Sequence, residues 1–280
     1  MSNSAQSVKD KLKNISREKN VDFNSVMRFY MYDRFVERLS KSKYKDTFIL
    51  KGGFYLSKLF GLDNRSTMDI DTAIRKTEFT EENLIVMINE IISIDVGDNI
   101  KFKIEKTELI REEDEYGGLR ITINFMLENI KDKFHIDLAT GDPIYPRPDN
   151  YKYESLIGDE IYKVWSYNLE TILAEKIETI LSKLETSSRM KDYYDIYLIY
   201  KFKFDTINKE KFRGSVEKTF KKRKFDADLM TNLSIVKESK VLRERWLSYS
   251  RKNSYARDVE FEETLECLEK LIDILILHVI

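Results

Sequence analysis

The pattern of apolar residues changes once along this chain of 280 residues, near Tyr162. Before that position, segments with helical spacing alternate with short segments in which every second residue is apolar, most clearly Ile121, Ile123, Phe125 and Leu127. After it, apolar residues recur almost only at helical spacing. The pattern predicts an α+β chain in which residues 1–162 form an α/β domain with a mixed sheet and residues 163–280 form an α-helical bundle.

The predicted elements follow from these two spacings. In the first part, helices are expected at residues 4–19, 24–40 and 81–94, and strands at residues 69–74, 101–110, 119–128 and 133–140. Asn24 or Ser25 is the expected cap of the second helix. The segment Tyr116-Gly117-Gly118, preceded by the acidic residues 112–115, is the expected turn of an antiparallel hairpin. In the second part, helices are expected at residues 168–184, 189–201, 209–222, 229–238, 242–250 and 262–280.

Charge and cysteine content exclude several classes of protein. The 48 basic and 49 acidic side chains nearly cancel, so the molecule as a whole has no field that attracts nucleic acid or membranes, and any polyanion must meet a local patch. The single cysteine, Cys267, excludes an internal disulfide, and the polar first residues lack the apolar core of a signal peptide, so a cytoplasmic protein is expected. The apolar run at residues 271–280 is about half of the roughly 20 residues that a membrane span needs, and it is interpreted as a buried terminal helix.

Two glycines stand directly before an apolar helical segment in Lys51-Gly52-Gly53-Phe54. Backbone without side chains can approach a ligand closely, and free N–H groups at the start of a helix favour a phosphate. Lys51 would add a positive charge. The alternative interpretation is a tight turn into a core helix, with no ligand.

Paired carboxylates occupy the predicted strand at residues 69–74. Alternation sends Asp69 and Asp71 to one face and Ile70 to the core. Because adjacent carboxylates repel each other, and because Mg²⁺ binds through carboxylates together with substrate phosphates, the pair suggests a Mg²⁺ site. A third acid, Asp137, lies on another predicted strand, and three such acids are typical of two-metal phosphoryl-transfer sites. The alternative is an exposed edge strand with solvated acids.

The helical part contains a second group of charged residues. Lys176 lies in its first predicted helix, where it could reach a triphosphate, and Asp192 and Asp195 are spaced to share one face of the next helix. Such a pair could orient Lys176 or contact the nucleotide. The alternatives are a solvated lysine and a charged helix start capped by Ser187 or Ser188.

A basic run at residues 218–225 combines lysines and an arginine with Phe220 and Phe225. Such a run could contact RNA phosphates, with the aromatic rings near the bases. The alternative is a solvated helix end.

Taken in order, five motifs resemble the AbiEii toxin family, over residues 48–200. They are Lys51-Gly52-Gly53, Arg65-Ser66-Thr67-Met68-Asp69-Ile70-Asp71, Ile136-Asp137-Leu138, Glu175-Lys176-Ile177 and Arg189-Met190-Lys191-Asp192-Tyr193-Tyr194-Asp195. The family comprises nucleotidyltransferase-like toxins of bacterial abortive-infection (phage defence) and toxin–antitoxin systems, within the DNA polymerase β-like superfamily. The resemblance therefore implies a polymerase β-like nucleotidyltransferase domain followed by helices.

The resemblance also implies roles for individual residues. The chemistry would be carried by Asp69, Asp71, Lys176 and Asp192. The nucleotide would be contacted by Lys51, Gly52, Gly53, Ser66, Thr67, Lys191 and Asp195, and the metal by Asp69, Asp71 and Asp137. The chain departs from the superfamily at Gly53, where a serine often stands. Lys51, Ser66 or Thr67 would therefore supply the missing contact to phosphate.

The resulting hypothesis is a toxin that uses Mg²⁺, or Mn²⁺, to transfer a nucleoside monophosphate from an NTP such as GTP or CTP to RNA, releasing pyrophosphate. Some relatives act on the 3′ end of tRNA, and the resemblance implies an antitoxin encoded nearby, which need not bind the toxin. Alternatives are nucleotidylation of a protein, toxicity by nucleotide binding without turnover, and a metal-dependent glycosyltransferase. The last explains neither the Lys-Gly-Gly motif nor the later Lys-Asp-x-x-Asp motif.

Overall fold

The computed structural model describes residues 5–110 and 117–276. The chain divides into two compact units, which are Met1–Gly141 with Asp149–Ser166, and Asp142–Pro148 with Tyr167–Ile280. Within the described ranges, no helix has the length and apolar character that crossing a membrane requires. The predicted boundary after residue 162 falls inside the last strand of the first unit.

The first unit combines helices with a mixed sheet of seven strands in the described part of the chain. Its elements are α1 (Ala5–Glu18), α2 (Phe23–Lys41), β1 (Phe48–Lys51), α3 (Gly52–Phe60), β2 (Asp69–Ile74), α4 (Glu81–Ile92), β3 (Lys101–Ile110), β4 (Gly118–Leu127), β5 (Ile130–Ala139), β6 (Asp149–Glu154) and β7 (Ile161–Ser166). The strand order is β3-β4-β5-β2-β1-β7-β6. β2 pairs parallel with β5 and β1 pairs parallel with β7, while the other neighbours are antiparallel. β2 is therefore an interior strand.

Phe134 on β5 marks the buried face of this sheet. The centre of its ring lies 5.3 Å from that of Tyr32 and 6.4 Å from that of Phe35, both on α2, and 5.9 Å from that of Phe102 on β3. Because side chains alternate along a strand, Phe134 on the inner face places Asp137, three residues later, on the opposite face. The apolar core thus fixes the face on which the polar residues of β5 stand.

Most predicted elements of the first unit are confirmed. β2 and β3 have the predicted bounds, and β4 and β5 differ from the prediction by at most three residues. The predicted cap of α2 is wrong, because the carboxylate of Asp22 accepts the N–H of Ser25 at 2.9 Å and the helix begins at Phe23. An Asp one residue before the helix competes better for that N–H than Asn24 or Ser25, which already lie inside the first turn.

β3 and β4 form the predicted antiparallel hairpin, with Ile110 opposite Gly118. Tyr116 of the predicted turn, and the acidic residues 112–115 before it, lie outside the described residues. The pairing of the two strands is therefore confirmed, and the turn stays a prediction.

The sequence patterns do not predict β6 and β7. Both strands are only six residues long, so each offers three alternations, and β7 ends two residues before the cap of the next helix, Asn168. In the structure Tyr162, Val164 and Ser166 of β7 are buried, because this strand pairs with β1 on one side and β6 on the other. The helical pattern therefore begins after Ser166, not at Tyr162.

The second unit is helical. Its helices are α5 (Leu169–Lys183), α6 (Met190–Lys203), α7 (Lys209–Lys222), α8 (Leu229–Glu238), α9 (Lys240–Lys252) and α10 (Phe261–Ile276), with short 3₁₀ turns between some of them. α7 and α8 have the predicted bounds, and residues 277–280 of the predicted terminal helix lie outside the described residues. Leu173, Ile177 and Ile180 of α5 are fully buried, as the helical spacing of apolar residues in this part of the sequence predicts, whereas Leu184 is half-buried in the 3₁₀ turn after the helix.

Candidate active site

A row of charged residues crosses five neighbouring strands of the first unit. Lys51 on β1 is paired with Asp71 on β2, and Asp71 with Asp137 on β5. Asp137 is paired with Arg120 on β4, and Arg120 with Glu108 on β3. Residues paired in this way project from the same face, here the face opposite Phe134. Two like-charged carboxylates thus stand side by side between two cations.

Asp69 stands on the same face, one alternation before Asp71. Both side chains are partly exposed, whereas Ile70 between them is fully buried. Because β2 is paired on both sides, the alternative interpretation of an exposed edge strand is wrong. Asp137 on β5 is paired with Asp71, so it lies close to the two acids of β2. This proximity argues against the alternative of a nucleotide-binding module without turnover.

Arg120 joins two of the three acids and was not selected from the sequence. Its Nε and Nη2 donate to the two carboxylate oxygens of Asp137 at 2.7 and 2.8 Å, and Nη2 lies 3.5 Å from Oδ2 of Asp69. The hydrogen-bonded Asp137 raises the pKa of Arg120, which stays charged. The alternation of Ile121 and Ile123 already placed Arg120 on the polar face, but only the register shows that it faces Asp137.

The electrostatics of Asp69 favour a nearby cation. Burial raises the pKa of Asp69, and the Asp137 and Asp71 carboxylates raise it further, while Arg120 opposes the rise. Among residues 5–110 and 117–276, no three acidic, histidine or cysteine side chains are grouped so as to hold one metal ion. The oxygen donors of Asp69 and Asp71 fit Mg²⁺, which completes its coordination with water and substrate phosphates. Asp137 would serve as a third ligand only through its remaining lone pairs, because Arg120 already donates to both of its carboxylate oxygens.

The glycine motif lies against Asp71. Lys51 ends β1 as a buried residue, Gly52 has a positive φ of 59°, and the N–H of Gly53 donates to Oδ2 of Asp71 at 3.2 Å. The positive end of α3, which begins at Gly52, therefore stabilises this carboxylate. A Cβ on Gly52 would lie 2.5 Å from Oδ2 of Asp71, so the close approach requires glycine.

The departure at Gly53 has a structural reason. A Cβ at this position would lie 2.9 Å from Nη2 of Arg65 and 3.1 Å from Oγ1 of Thr67. The space that a serine side chain would need is therefore filled by a buried guanidinium and by the Thr67 hydroxyl. Ser66 and Thr67 are partly exposed, and the carbonyl of Ser66 accepts from Nη1 of Arg65. Arg65 belongs to the motif Arg65–Asp71, but no pattern in the sequence predicts its role.

The second unit holds the other predicted cluster, which lies between α5 and α6. Nζ of Lys176 on α5 donates to Asp192 at 2.7 Å and to Asp195 at 2.6 Å, both on α6. Nε of Arg189 donates to the other oxygen of Asp192 at 2.6 Å. The prediction that Asp192 and Asp195 share one face of α6 is confirmed. Two cations and two carboxylates balance one another in this cluster.

Burial and pairing act in opposite directions on these groups. Burial disfavours the charged forms, but Asp192 and Asp195 raise the pKa of Lys176, while Lys176 and Arg189 hold the pKa of Asp192 well below its usual range. The side chain of Lys176 is only 9% exposed, against 46% for Arg189. The alternative interpretation of Lys176 as a solvated lysine is therefore wrong, and Arg189 is the more accessible cation.

The start of α6 also differs from the prediction. The helix begins at Met190 with Arg189 at the cap position, and no side chain caps it there. The hydroxyl of Ser187 accepts the N–H of Arg189 at 3.2 Å, so neither Ser187 nor Ser188 is the cap. Lys191 is exposed and lies outside the ion-paired cluster, since successive helix residues point in different directions.

The basic run at the end of α7 divides into two kinds of residue. Lys218, Lys221 and Lys224 are exposed. Arg223 instead donates to Glu178 at 2.6 Å and to Asp142 at 3.3 Å within the second unit. Arg223 is therefore an internal anchor, and only the lysines fit the predicted contact to phosphates.

Comparison with known proteins assigns the fold and the family. The chain resembles the crystal structure of JHP933 from Helicobacter pylori, with a TM-score of 0.51 and 14% identity over 88% of each chain. A second H. pylori crystal structure, provisionally described as a nucleotidyltransferase, gives a TM-score of 0.45 and 16% identity over 88% of this chain and 91% of that one. No curated protein matches the sequence.

The family comparison covers most of the chain. Residues 34–267 match the family described as "Nucleotidyl transferase AbiEii toxin, Type IV TA system". The mixed sheet and helices confirm the predicted α+β class and fit a polymerase β-like fold. The chain belongs to the AbiEii family of nucleotidyltransferase toxins of type IV toxin–antitoxin systems.

Proposed function

We propose that the protein is a Mg²⁺-dependent toxin that transfers a nucleoside monophosphate from an NTP to RNA, with the 3′ end of tRNA as acceptor. The observation that carries this proposal is the placement of Asp69 and Asp71 on one face of an interior strand, beside Asp137 on the next strand. Family membership supports nucleotidyl transfer as the reaction class. Mn²⁺ is expected to replace Mg²⁺, because both ions prefer oxygen ligands.

The residues of the first unit would bind and orient the triphosphate. Asp69 and Asp71 would hold the metal ion, which supplies charge neutralisation for the phosphates and lowers the barrier to attack by the acceptor hydroxyl. Lys51 and the glycine backbone at the start of α3 would stabilise the phosphates from the other side of Asp71. Arg120 would keep Asp137 and Asp69 in place while offering no oxygen ligand of its own.

The cluster of the second unit would act by electrostatics. Lys176, Asp192 and Asp195 are proposed to contact the nucleotide. Because Lys176 is shared by two carboxylates, its first role would be to fix Asp192 and Asp195. The accessible Arg189 would then offer positive charge to a phosphate.

The biological setting follows from the family. A type IV toxin–antitoxin family implies an antitoxin, and we propose that it is encoded nearby and counters a cytoplasmic toxin in phage defence. GTP and CTP remain the proposed nucleotides.

The test is a transfer assay with each of the four NTPs, labelled at the α-phosphate, and with tRNA, total RNA or cell protein as acceptor. We expect metal-dependent label in tRNA and release of pyrophosphate. Label in protein would favour protein nucleotidylation, and NTP binding without pyrophosphate release would favour a binding toxin. Either result would overturn the RNA acceptor.

Asp69→Ala is the decisive variant for the mechanism. It should abolish transfer and toxicity while the unfolding midpoint in urea changes little, because the partly exposed carboxylate contributes little to the core. Asp132→Ala is the matched control, since Asp132 lies on β5 of the same sheet and is paired with Arg28 at 3.2 Å, away from the charged row. Toxicity that persists in Asp69→Ala would refute the mechanism.

A further inference from the structure

The sheet face that carries the active-site acids continues as a basic surface. Beyond the charged row, the pairing aligns Asp69 with His135, Thr122 and Lys106. The next two rows along the strands are Lys133, Asn124 and Lys103, and then Lys131, Met126 and Lys101. We call the lysines at positions 101, 103, 106, 131 and 133 the basic sheet face.

A β-bulge keeps these lysines on one face. Lys103 and Lys106 are three residues apart, a spacing that would place them on opposite faces of a regular strand. The register of β3 against β4 shifts between Ile104 and Lys106, so Glu105 is the extra residue. The shift returns Lys106 to the face of Lys103, and with it to the face of the carboxylates.

The basic sheet face has excess positive charge and is accessible. All five of its lysines are exposed. Two of them have acidic neighbours, since Lys133 lies 3.3 Å from Glu105 and Lys106 lies 2.9 Å from Glu108. Five lysines minus two glutamates leave a local charge of +3. Such exposed pairs are weak and open readily when a phosphate competes for the lysine.

The spacing of the lysine rows fits a chain of phosphates that runs along the strands and ends at Asp69 and Asp71. Successive rows are about 7 Å apart, because alternate residues of a strand are separated by twice its rise. From Lys131 to Asp137 the surface therefore extends for about 20 Å along β5. Lysines are flexible point charges that contact phosphates without selecting a base. A single-stranded nucleic acid carries repeated phosphates of this kind, whereas a nucleotide alone would occupy only one end.

We propose that the basic sheet face binds the backbone of the acceptor RNA and directs its reactive end toward Asp69 and Asp71. The inference rests on the proposed function for the identity of the polyanion. It assigns acceptor binding to the first unit, in place of the exposed lysines of α7 considered from the sequence. In this proposal, the acids of the charged row hold the metal ion, and the lysines of the basic sheet face hold the acceptor RNA.

The test measures RNA binding without NTP, as the dependence of the association constant on salt. In the full-length protein, Lys101, Lys103 and Lys131 are changed together to Gln, because none of these three forms an ion pair with a glutamate among the residues that the structure describes. The slope of log Kobs against log salt is negative, and each lost phosphate contact makes it shallower by about 0.7 for a single strand, so we expect its magnitude to decrease by about 2. The same three positions changed to Arg should retain the slope.

A second triple variant removes equal charge elsewhere. Lys218, Lys221 and Lys224 changed to Gln should leave the slope close to that of the wild type, and the unfolding midpoints of all variants should agree. A slope that becomes shallower only in this second variant would overturn the proposal in favour of α7. An unchanged slope in the first variant, with folding intact, would overturn it as well.

Transfer measured in parallel separates this inference from the proposed function. For the first variant we expect a raised KM for RNA. If the wild type transfers nucleotides to no RNA yet binds RNA through the basic sheet face, the proposed reaction fails and the binding surface stands. If the wild type transfers to RNA and the first variant binds it with an unchanged slope, the reaction stands and the surface is refuted.

Discussion

Gly52 shows how a single residue controls the geometry of the charged row. Its φ of 59° belongs to the left-handed region, and the N–H of the next residue, Gly53, reaches Asp71. Any Cβ at position 52 would lie within 2.5 Å of the Asp71 carboxylate. The residue therefore combines a backbone requirement with a steric one, and the two can be separated experimentally.

Gly52→Ala is predicted to lose activity for the steric reason. The left-handed backbone costs about 1–2 kcal/mol with a Cβ, and the displaced Asp71 should lower transfer by about 100-fold, as expected for a misplacement near 1 Å. Gly97→Ala is the matched control, because Gly97 has a φ of 75° and no described atom within 4 Å of its Cβ position. Gly97→Ala should lower the free energy of unfolding in urea by the backbone strain alone and leave nucleotide transfer unchanged. Equal activity in both variants would contradict the steric role of Gly52.

At the scale of elements, the alternation of apolar and polar residues correctly predicted which face of a strand each side chain occupies. It did not predict which residue lies opposite on the neighbouring strand. The pattern of β2 and β5 placed Asp69, Asp71 and Asp137 on polar faces, and the structure agrees. Arg120 was missed because its meaning depends on the register of β4 against β5, which a single strand does not encode. The bulge at Glu105 was missed for the same reason, since an extra residue is defined only relative to the partner strand.

The ion-paired cluster of the second unit also shows that sequence spacing predicts a shared face but not the contacts made there. The spacing of Asp192 and Asp195 predicted a shared face, but the burial of Lys176 depends on how α5 packs against α6. A lysine flanked by glutamates looks solvated in the sequence. In the structure it bridges two helices through two buried carboxylates.

Asp192→Asn is predicted to destabilise the second unit at neutral pH. Removing one partner of a buried ion pair leaves the other charge uncompensated, at a cost of about 3–5 kcal/mol. Urea unfolding would measure the loss. Lys237→Met is the control, because the partly exposed pair of Lys237 and Glu269, at 2.8 Å, should contribute no more than about 1 kcal/mol.

The loss should depend on pH in a defined direction. The pKa of Asp192 in the folded protein is held below its ordinary value of 3.8, so its stabilising effect is present above that value and fades as the pH falls toward the folded pKa. The free energies of unfolding of wild type and Asp192→Asn should therefore differ most near neutral pH and converge below about pH 4. A difference that stays constant across this range would contradict the ion-pair explanation.

The whole molecule presents two compact units, each with its own buried aromatic core. Phe134 is at the centre of the first core, and Trp246 packs 5.7 Å from Phe261, between ring centres, in the second. The two tryptophans are divided between the units, with Trp165 on β7 and Trp246 on α9. Fluorescence can therefore report on each unit separately.

We predict that the units unfold as separate cooperative transitions, because each buries a core of its own. In a Trp165→Phe background, Asp192→Asn should lower the urea midpoint reported by Trp246. In a Trp246→Phe background, the same change should leave the midpoint reported by Trp165 in place. Gly52→Ala should show the reverse pattern, since it strains only the first unit. If both probes shift together in both cases, the chain unfolds as one cooperative unit, and the independence of the two cores is refuted.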